Sequence, residues 1–184
     1  MNGPIPIILM MAVFVFVIII LVIGHKRNNA LLANGDIKKR PKGWEDQNTI
    51  FTTAIDSIDK IYQAMNLDSV QEGAVIESSR NSNGSYVFRL IGGPNSIRDR
   101  INERRTLIWE VSLAPLPQTG SAHQYLFSFQ NLSTLNGVTQ GITPLNVLLT
   151  QIEKAVLTLD PEAEVQRIKA EYTTSSNSRW TVGK

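Results

Sequence analysis

From Pro4 to Ile23 the chain shows no alternation of apolar and polar positions: all twenty residues are apolar and none is charged. A helix rises about 1.5 Å per residue, so such a run matches the roughly 30 Å hydrocarbon core of a bilayer. The pattern predicts a transmembrane helix over 4–24, preceded by a short tail, 1–3. A cleaved leader would need a basic start and a small-residue cleavage site. Here Met1-Asn2-Gly3 precedes the run and Gly24-His25-Lys26-Arg27 follows it. A buried helix this uniformly apolar would need a large protein around it.

Beyond residue 47 the pattern becomes periodic. Phe51, Ile55, Ile58, Tyr62 and Met65 fall three and four apart, which predicts an amphipathic helix over 49–66. Four strand-like runs follow, at 74–79, 85–91, 106–113 and 123–130. Asn83-Gly84 between the first two is a hairpin signal, because it supplies the positive φ of a tight turn. Pro115 and Pro117 stop the third run, since proline cannot donate to a ladder. Tyr86, Phe88, Trp109, Tyr125, Phe127 and Phe129 then share one face, and the other face is mixed.

Residues 131–142 read as a polar loop. Thr143-Pro144 predicts the cap and first turn of a second helix whose buried stripe is Leu145, Leu148, Leu149, Ile152, Val156 and Leu159, ended by Asp160-Pro161. Residues 162–172 fit either a helix or a fifth strand, with a return to the sheet edge preferred. Residues 173–184 are polar and Ser-rich, the composition of a disordered tail.

The predicted architecture is therefore α+β. An N-terminal transmembrane helix precedes a two-layer sandwich, in which two helices cover one face of an antiparallel sheet of four or five strands. A basic linker over 25–47 joins the helix to a soluble domain over 48–172.

Charge changes the picture in one place. Residues 24–44 hold six Lys or Arg (Lys26, Arg27, Lys38, Lys39, Arg40 and Lys42) against Asp36 alone. Residues 45–184 hold the other twelve against fifteen acids. The basic excess thus sits beside the apolar run, where it predicts contact with anionic lipid and a cytosolic C-terminal side at the cell membrane, with the N-terminus outside. The domain lacks the basic face that nucleic acid requires. In the opposite orientation within a secretory pathway, Asn83-Gly84-Ser85 and Asn131-Leu132-Ser133 would be glycosylation acceptors. Trp44 fits either the headgroup level or a lid packed on the domain.

Candidate chemistry is sparse. The chain has no cysteine, which excludes disulfides, thiolate catalysis and cysteine-ligated metal. His123 is the domain's single histidine, and no His/Asp/Glu set has metal-ligand spacing. Gly92-Gly93-Pro94 precedes 97–105 without a phosphate-loop lysine, and reads as a strand-end turn. No cofactor or metal site and no catalytic set is predicted.

Two features suit contact with a partner. Arg98, Arg100, Arg104 and Arg105 form one basic connection, interleaved with Asp99 and Glu103. Val87, Ile91, Ile108 and Leu126 put large apolar side chains on the face that also carries Glu77, Arg89 and Glu110. The expected function is a membrane-anchored, non-enzymatic interaction module that binds a protein partner or itself. The alternative is a small-ligand or lipid carrier with its pocket between the helices and the aromatic face.

Overall fold

The computed structural model describes residues 5–67, 75–92, 106–118, 120–135, 138–169 and 174–176. The chain divides into two compact units, Met1–Lys39 and Arg40–Lys184.

The first unit is built on α1 (Ile5–Ala33). Within it, Leu9–Ala33 is long and apolar enough to cross a membrane, and none of that window is buried in the protein. The helix continues past the expected span, 4–24, to Ala33. It runs on through His25, Lys26 and Arg27, and the His25 ring and the Asn29 amide lie 3.1 Å apart one turn on. Its end lies at Asn34-Gly35. The Gly35 amide bonds the Leu32 carbonyl and the Asp36 amide reaches back to that of Leu31. That pair of bonds needs a left-handed residue, and Gly35 has φ 71°.

The second unit is α+β. After a 3₁₀ turn (Trp44–Asp46), it comprises β1 (Gln47–Thr53), α2 (Ile58–Ala64), β2 (Val75–Arg80), β3 (Tyr86–Gly92), β4 (Thr106–Pro115), β5 (His123–Leu135), β6 (Val138–Thr139), α3 (Ile142–Leu159), β7 (Glu164–Lys169) and β8 (Thr174–Ser176). All the strands join one sheet of order β2-β3-β4-β5-β1-β7, with β6 and β8 also paired to β5. Every pairing is antiparallel except that of β8 with β5. The sheet is larger than the four or five strands expected.

The main correction concerns 49–66. Its first part is not helix but β1, held between β5 and β7, and only Ile58–Ala64 is helical. The stripe is nevertheless buried. Phe51, Ile55, Ile58 and Met65 are core residues, and Tyr62 packs against them. What the helical period overlooks is Thr49-Ile50-Phe51-Thr52-Thr53, five β-branched or aromatic residues that favour an extended chain. Ser57 then caps α2, its hydroxyl accepting from the Asp59 amide at 3.2 Å.

Four further expectations need revision. Residues 131–142 are not a loop throughout, since β5 continues to Leu135 and pairs with β6. Helix α3 is not capped by Thr143: its N-cap is Gly141, in the left-handed region with no side-chain cap bond. Leu159 is exposed rather than part of the buried stripe. Part of the expected disordered tail, Thr174–Ser176, is strand. The strand reading of 162–172 agrees with β7, and 170–172 lie outside the described residues.

One buried cluster holds the second unit together. Phe51, Phe88, Leu90, Trp109, Val111, Leu113, Tyr125, Phe127, Phe129 and Leu132 come from the sheet. Ile58 and Ile61 come from α2, and Leu145, Leu148, Leu149, Ile152, Ala155 and Val156 from α3. The chain passes close against the sheet at Gly141. Its carbonyl accepts the Trp109 indole N–H at 3.0 Å. A Cβ built there would lie 2.6 Å from Leu90 Cδ2 and 2.9 Å from Trp109 Nε1. Glycine is therefore required both for its φ of 63° and for space.

Candidate functional site

Alternation along the strands fixes two faces. Thr49, Phe127, Leu113 and Tyr86 lie in register on one of them, with Phe51 opposite Tyr125 beside that row. On the opposite face Ile50 pairs with Leu126, and Leu126 with Ala114. A neighbouring row runs Ser79, Val87, Ser112, Ser128. Ile50, Leu126 and Ala114 are half-buried and belong to no part of the core cluster.

Polar side chains border this row. The Ser112 and Ser128 hydroxyls lie 3.0 Å apart, and the Gln130 amide donates to both, at 3.0 and 3.1 Å. Gln124 donates to Thr52 at 3.2 Å. Arg89 stands opposite both Glu77 and Glu110, and its guanidinium bonds the Glu110 carboxylate. The arrangement is cross-strand pairing on a polar surface, and each such exposed pair contributes about 0–1 kcal/mol.

Two register shifts decide which residues reach this face. One separates Leu90 from Ile91, so that Leu90 faces Trp109 while Ile91 faces Leu107. Ile108 is the extra residue, and it packs against the core cluster beside Gly141. It is therefore not the surface residue that simple alternation assigned. The second shift makes Gln130 the extra residue opposite β4, and both Phe129 and Leu132 point into the core. Of the other apolar candidates, Leu126 and Ile91 are half-buried, and Val87 is buried outside the core cluster. Arg98, Arg100, Arg104 and Arg105 lie outside the described residues.

The basic residues expected at the membrane divide into two kinds. Lys26 and Arg27 are exposed on α1, and Lys38, Lys39 and Lys42 are exposed as well. Arg40 differs, because its side chain is 1% exposed. Its Nε donates to Asn146 Oδ1 at 2.6 Å, Nη1 to Glu153 Oε1 at 2.9 Å and Nη2 to Thr150 Oγ1 at 3.1 Å. The guanidinium also lies 5.0 Å from the centre of the Trp44 ring. Trp44 belongs to the core cluster, as the lid reading supposed. Arg167 approaches the same Glu153 oxygen at 3.9 Å. Sequence reasoning missed this set because Asn146, Thr150 and Glu153 sit off the apolar stripe of α3 and resemble solvent-facing positions.

Of the six aromatic side chains proposed to line a ligand pocket, Tyr86 is half-buried and the other five are buried. Phe88, Trp109 and Phe127 have no accessible surface at all. A void large enough for a ligand would expose the side chains around it. Tyr125 spends its hydroxyl on the Ile55 carbonyl at 2.8 Å, and burial raises its pKa.

Asp160, Tyr86 and Asp56 are each engaged in side-chain hydrogen bonds or ion pairs. Asp160 accepts from the Thr53 hydroxyl at 2.6 Å and the Ala54 amide at 2.8 Å, and these bonds hold its carboxyl below the ordinary aspartate range. Tyr86 donates to Asp59 at 2.7 Å, which raises its pKa. Its ring stacks on Tyr62 with centroids 4.1 Å apart. Asp56 is held low by the hydrogen bond from Lys60. Among the described residues, no group of three or more His, Asp or Glu side chains is placed to hold a metal ion. Every buried side-chain polar atom described has a partner.

Comparison of the chain with protein-family models, with curated protein sequences and with solved structures finds no match.

Proposed function

We propose that this is a single-pass membrane protein whose cytosolic α+β domain is a non-enzymatic docking module. In this reading α2 and α3 cover the aromatic face of the sheet, and a protein partner or a second copy docks on the opposite face around Leu126. The observation that carries it is the row Ile50–Leu126–Ala114, apolar across three adjacent strands and separate from the core. Anchoring supports it. A domain tethered at a bilayer meets neighbours at high effective concentration, so a modest apolar surface suffices for association. The exposed Lys26, Arg27, Lys38, Lys39 and Lys42 favour the anionic cytosolic leaflet. The carrier reading would need a pocket among rings of which five of the six are buried.

The test uses the absence of cysteine from the chain. Single cysteines replacing Leu126 or Ile50 in the full chain, in its native membrane, should give cross-linked adducts. A cysteine replacing the exposed hairpin residue Ser82 should give none. Adducts that persist when Leu126→Asp is added to the Ile50→Cys chain, or that appear only from position 82, refute docking on this face. Orientation is checked separately with protease added to intact cells. Digestion of the domain without lysis would place it outside.

A further inference from the structure

Arg40 follows α1 by only a few residues, yet its side chain is among the most enclosed charges described. Desolvating a guanidinium is expensive, and it is tolerated where several acceptors match the fork. Asn146, Thr150 and Glu153 provide this, one per turn along α3, and the Trp44 ring covers the flat face. The backbone between Arg40 and Trp44 is thereby closed into a short strap, whose Trp44 amide bonds the Pro41 carbonyl at 3.3 Å.

We propose that Arg40 is a clasp: it takes residues 40–43 out of the membrane tether and builds them into the domain ahead of Trp44, which the core holds, so that one side chain sets how much chain is free. Clasped, at most residues 34–39 separate α1 from the domain. Unclasped, residues 34–43 do. At roughly 3.3–3.6 Å per extended residue, the maximum reach grows from about 20 Å to about 35 Å. The clasp thus confines the domain to partners held close to the same membrane surface, and its release extends the search.

Arg167 makes the release accessible. A buried carboxylate stripped of its only cation would be strongly disfavoured. Here a second guanidinium, with a side chain 35% exposed, already stands 3.9 Å from the same Glu153 oxygen. It can take over the carboxylate as Arg40 leaves. Arg167 also adds like charge beside Arg40, which favours opening.

The strap contains its own reporter. Trypsin cleaves after Lys42 only if the chain around it leaves the domain, whereas Arg40 is protected by Pro41 in either state. Lys38 and Lys39 precede the strap and serve as internal standards. In the full-length protein in micelles, Arg40→Ala should raise cleavage after Lys42, relative to that after Lys39, by about tenfold or more. Arg167→Ala should lower it. Should Arg40→Ala fail to fold, the double variant Arg40→Met/Glu153→Gln removes both charges and makes the same prediction. An unchanged ratio in a folded variant overturns the clasp, and a rise in Arg167→Ala overturns the role of the second arginine.

The change in reach rests on α1 being a membrane span, and a second measurement separates the two. A fluorophore on Ser82→Cys, in vesicles containing an acceptor lipid, should lose energy transfer when Arg40→Ala is added. If the chain does not associate with vesicles, the span reading fails while the protease result stands. Unchanged transfer in a vesicle-bound chain overturns the effect on reach.

Discussion

Helices α1 and α3 are both long and rich in aliphatic residues, and they are stabilised in opposite ways. Along α1 the large apolar side chains from Leu9 to Ile23 are all between 43% and 72% exposed. Along α3, Leu145, Leu148, Leu149, Ile152 and Val156 are almost entirely enclosed. The hydrophobic effect holds α3 within the protein, while α1 leaves its apolar surface uncovered, the surface that the proposed membrane span would place in lipid. The polar residues make the difference sharper. None interrupts α1 between residues 5 and 23, whereas α3 buries Thr150, Gln151 and Glu153. A helix surrounded by protein can carry a buried carboxylate because a facing segment supplies the cation. A helix surrounded by lipid has no such source.

The largest effect that would break this comparison is an aspartate placed on each helix. Leu149→Asp should leave no folded domain by circular dichroism, because a charge unpaired in a core is not tolerated. Val17→Asp should leave the domain folded but shift the protein from the carbonate-resistant membrane pellet to the soluble fraction. If Val17→Asp instead unfolds the domain, α1 is part of its core and the contrast is lost.

Removal of one member of the buried pair comes next. Arg40→Ala should cost about 3 kcal/mol in chemical denaturation, at the lower end of the range for a stranded buried charge because Arg167 is near. The double variant Arg40→Met/Glu153→Gln should recover part of that loss. A loss in Arg40→Ala below about 1 kcal/mol would mean that the pair is held no better than a surface one.

Gly141→Ala should cost about 2–4 kcal/mol, from its left-handed φ and from the contact with Leu90, Ile108 and Trp109. Gly24→Ala, where nothing lies within 4 Å of the added carbon, should not change the unfolding of the domain.

The smallest effects depend on pH. Asp160 has a folded-state pKa below its ordinary value, so it stabilises the fold fully above pH 3.8, and that contribution disappears as the pH falls through the lower, folded value. Asp160→Asn should therefore flatten the dependence of Tm on pH on the acid side. Tyr86 and Tyr125 have raised values, so their contributions are complete below pH 10.0 and disappear as the pH rises through the folded values. Tyr86→Phe should reduce the loss of stability above that pH. An unaltered profile would show that Asp59 does not hold the hydroxyl in solution.

Much of the fold is legible in order along the chain. The hairpin at Asn83-Gly84, the stop at Pro115, the end of α3 at Asp160 and the aromatic face from Tyr86 to Phe129 are all local signals, each acting through φ, a missing donor or the alternation of side chains. The strand β1 was not legible as such, because Phe51 and Ile55 happen to continue the four-residue spacing of α2. The outer-face candidates were legible only in part. Leu126 keeps its assigned face, while the shift beside Leu90 turns Ile108 toward Gly141. Nothing in the local sequence announces that shift, since it depends on how β4 pairs with β3.

What the sequence determined by itself is what depends on neighbours along the chain: a helix long and apolar enough to cross a membrane, strands with one apolar face, and the turns between them. The tertiary structure decided what depends on residues far apart. It placed Thr49–Thr53 between two strands instead of on a helix, and it withdrew Arg40 from the basic cluster by setting it against Asn146, Thr150 and Glu153, more than 100 positions away. The physical reason is that period and propensity act over a few residues. The pairing of a strand or of a buried charge is fixed by partners that only the folded chain brings within hydrogen-bonding distance.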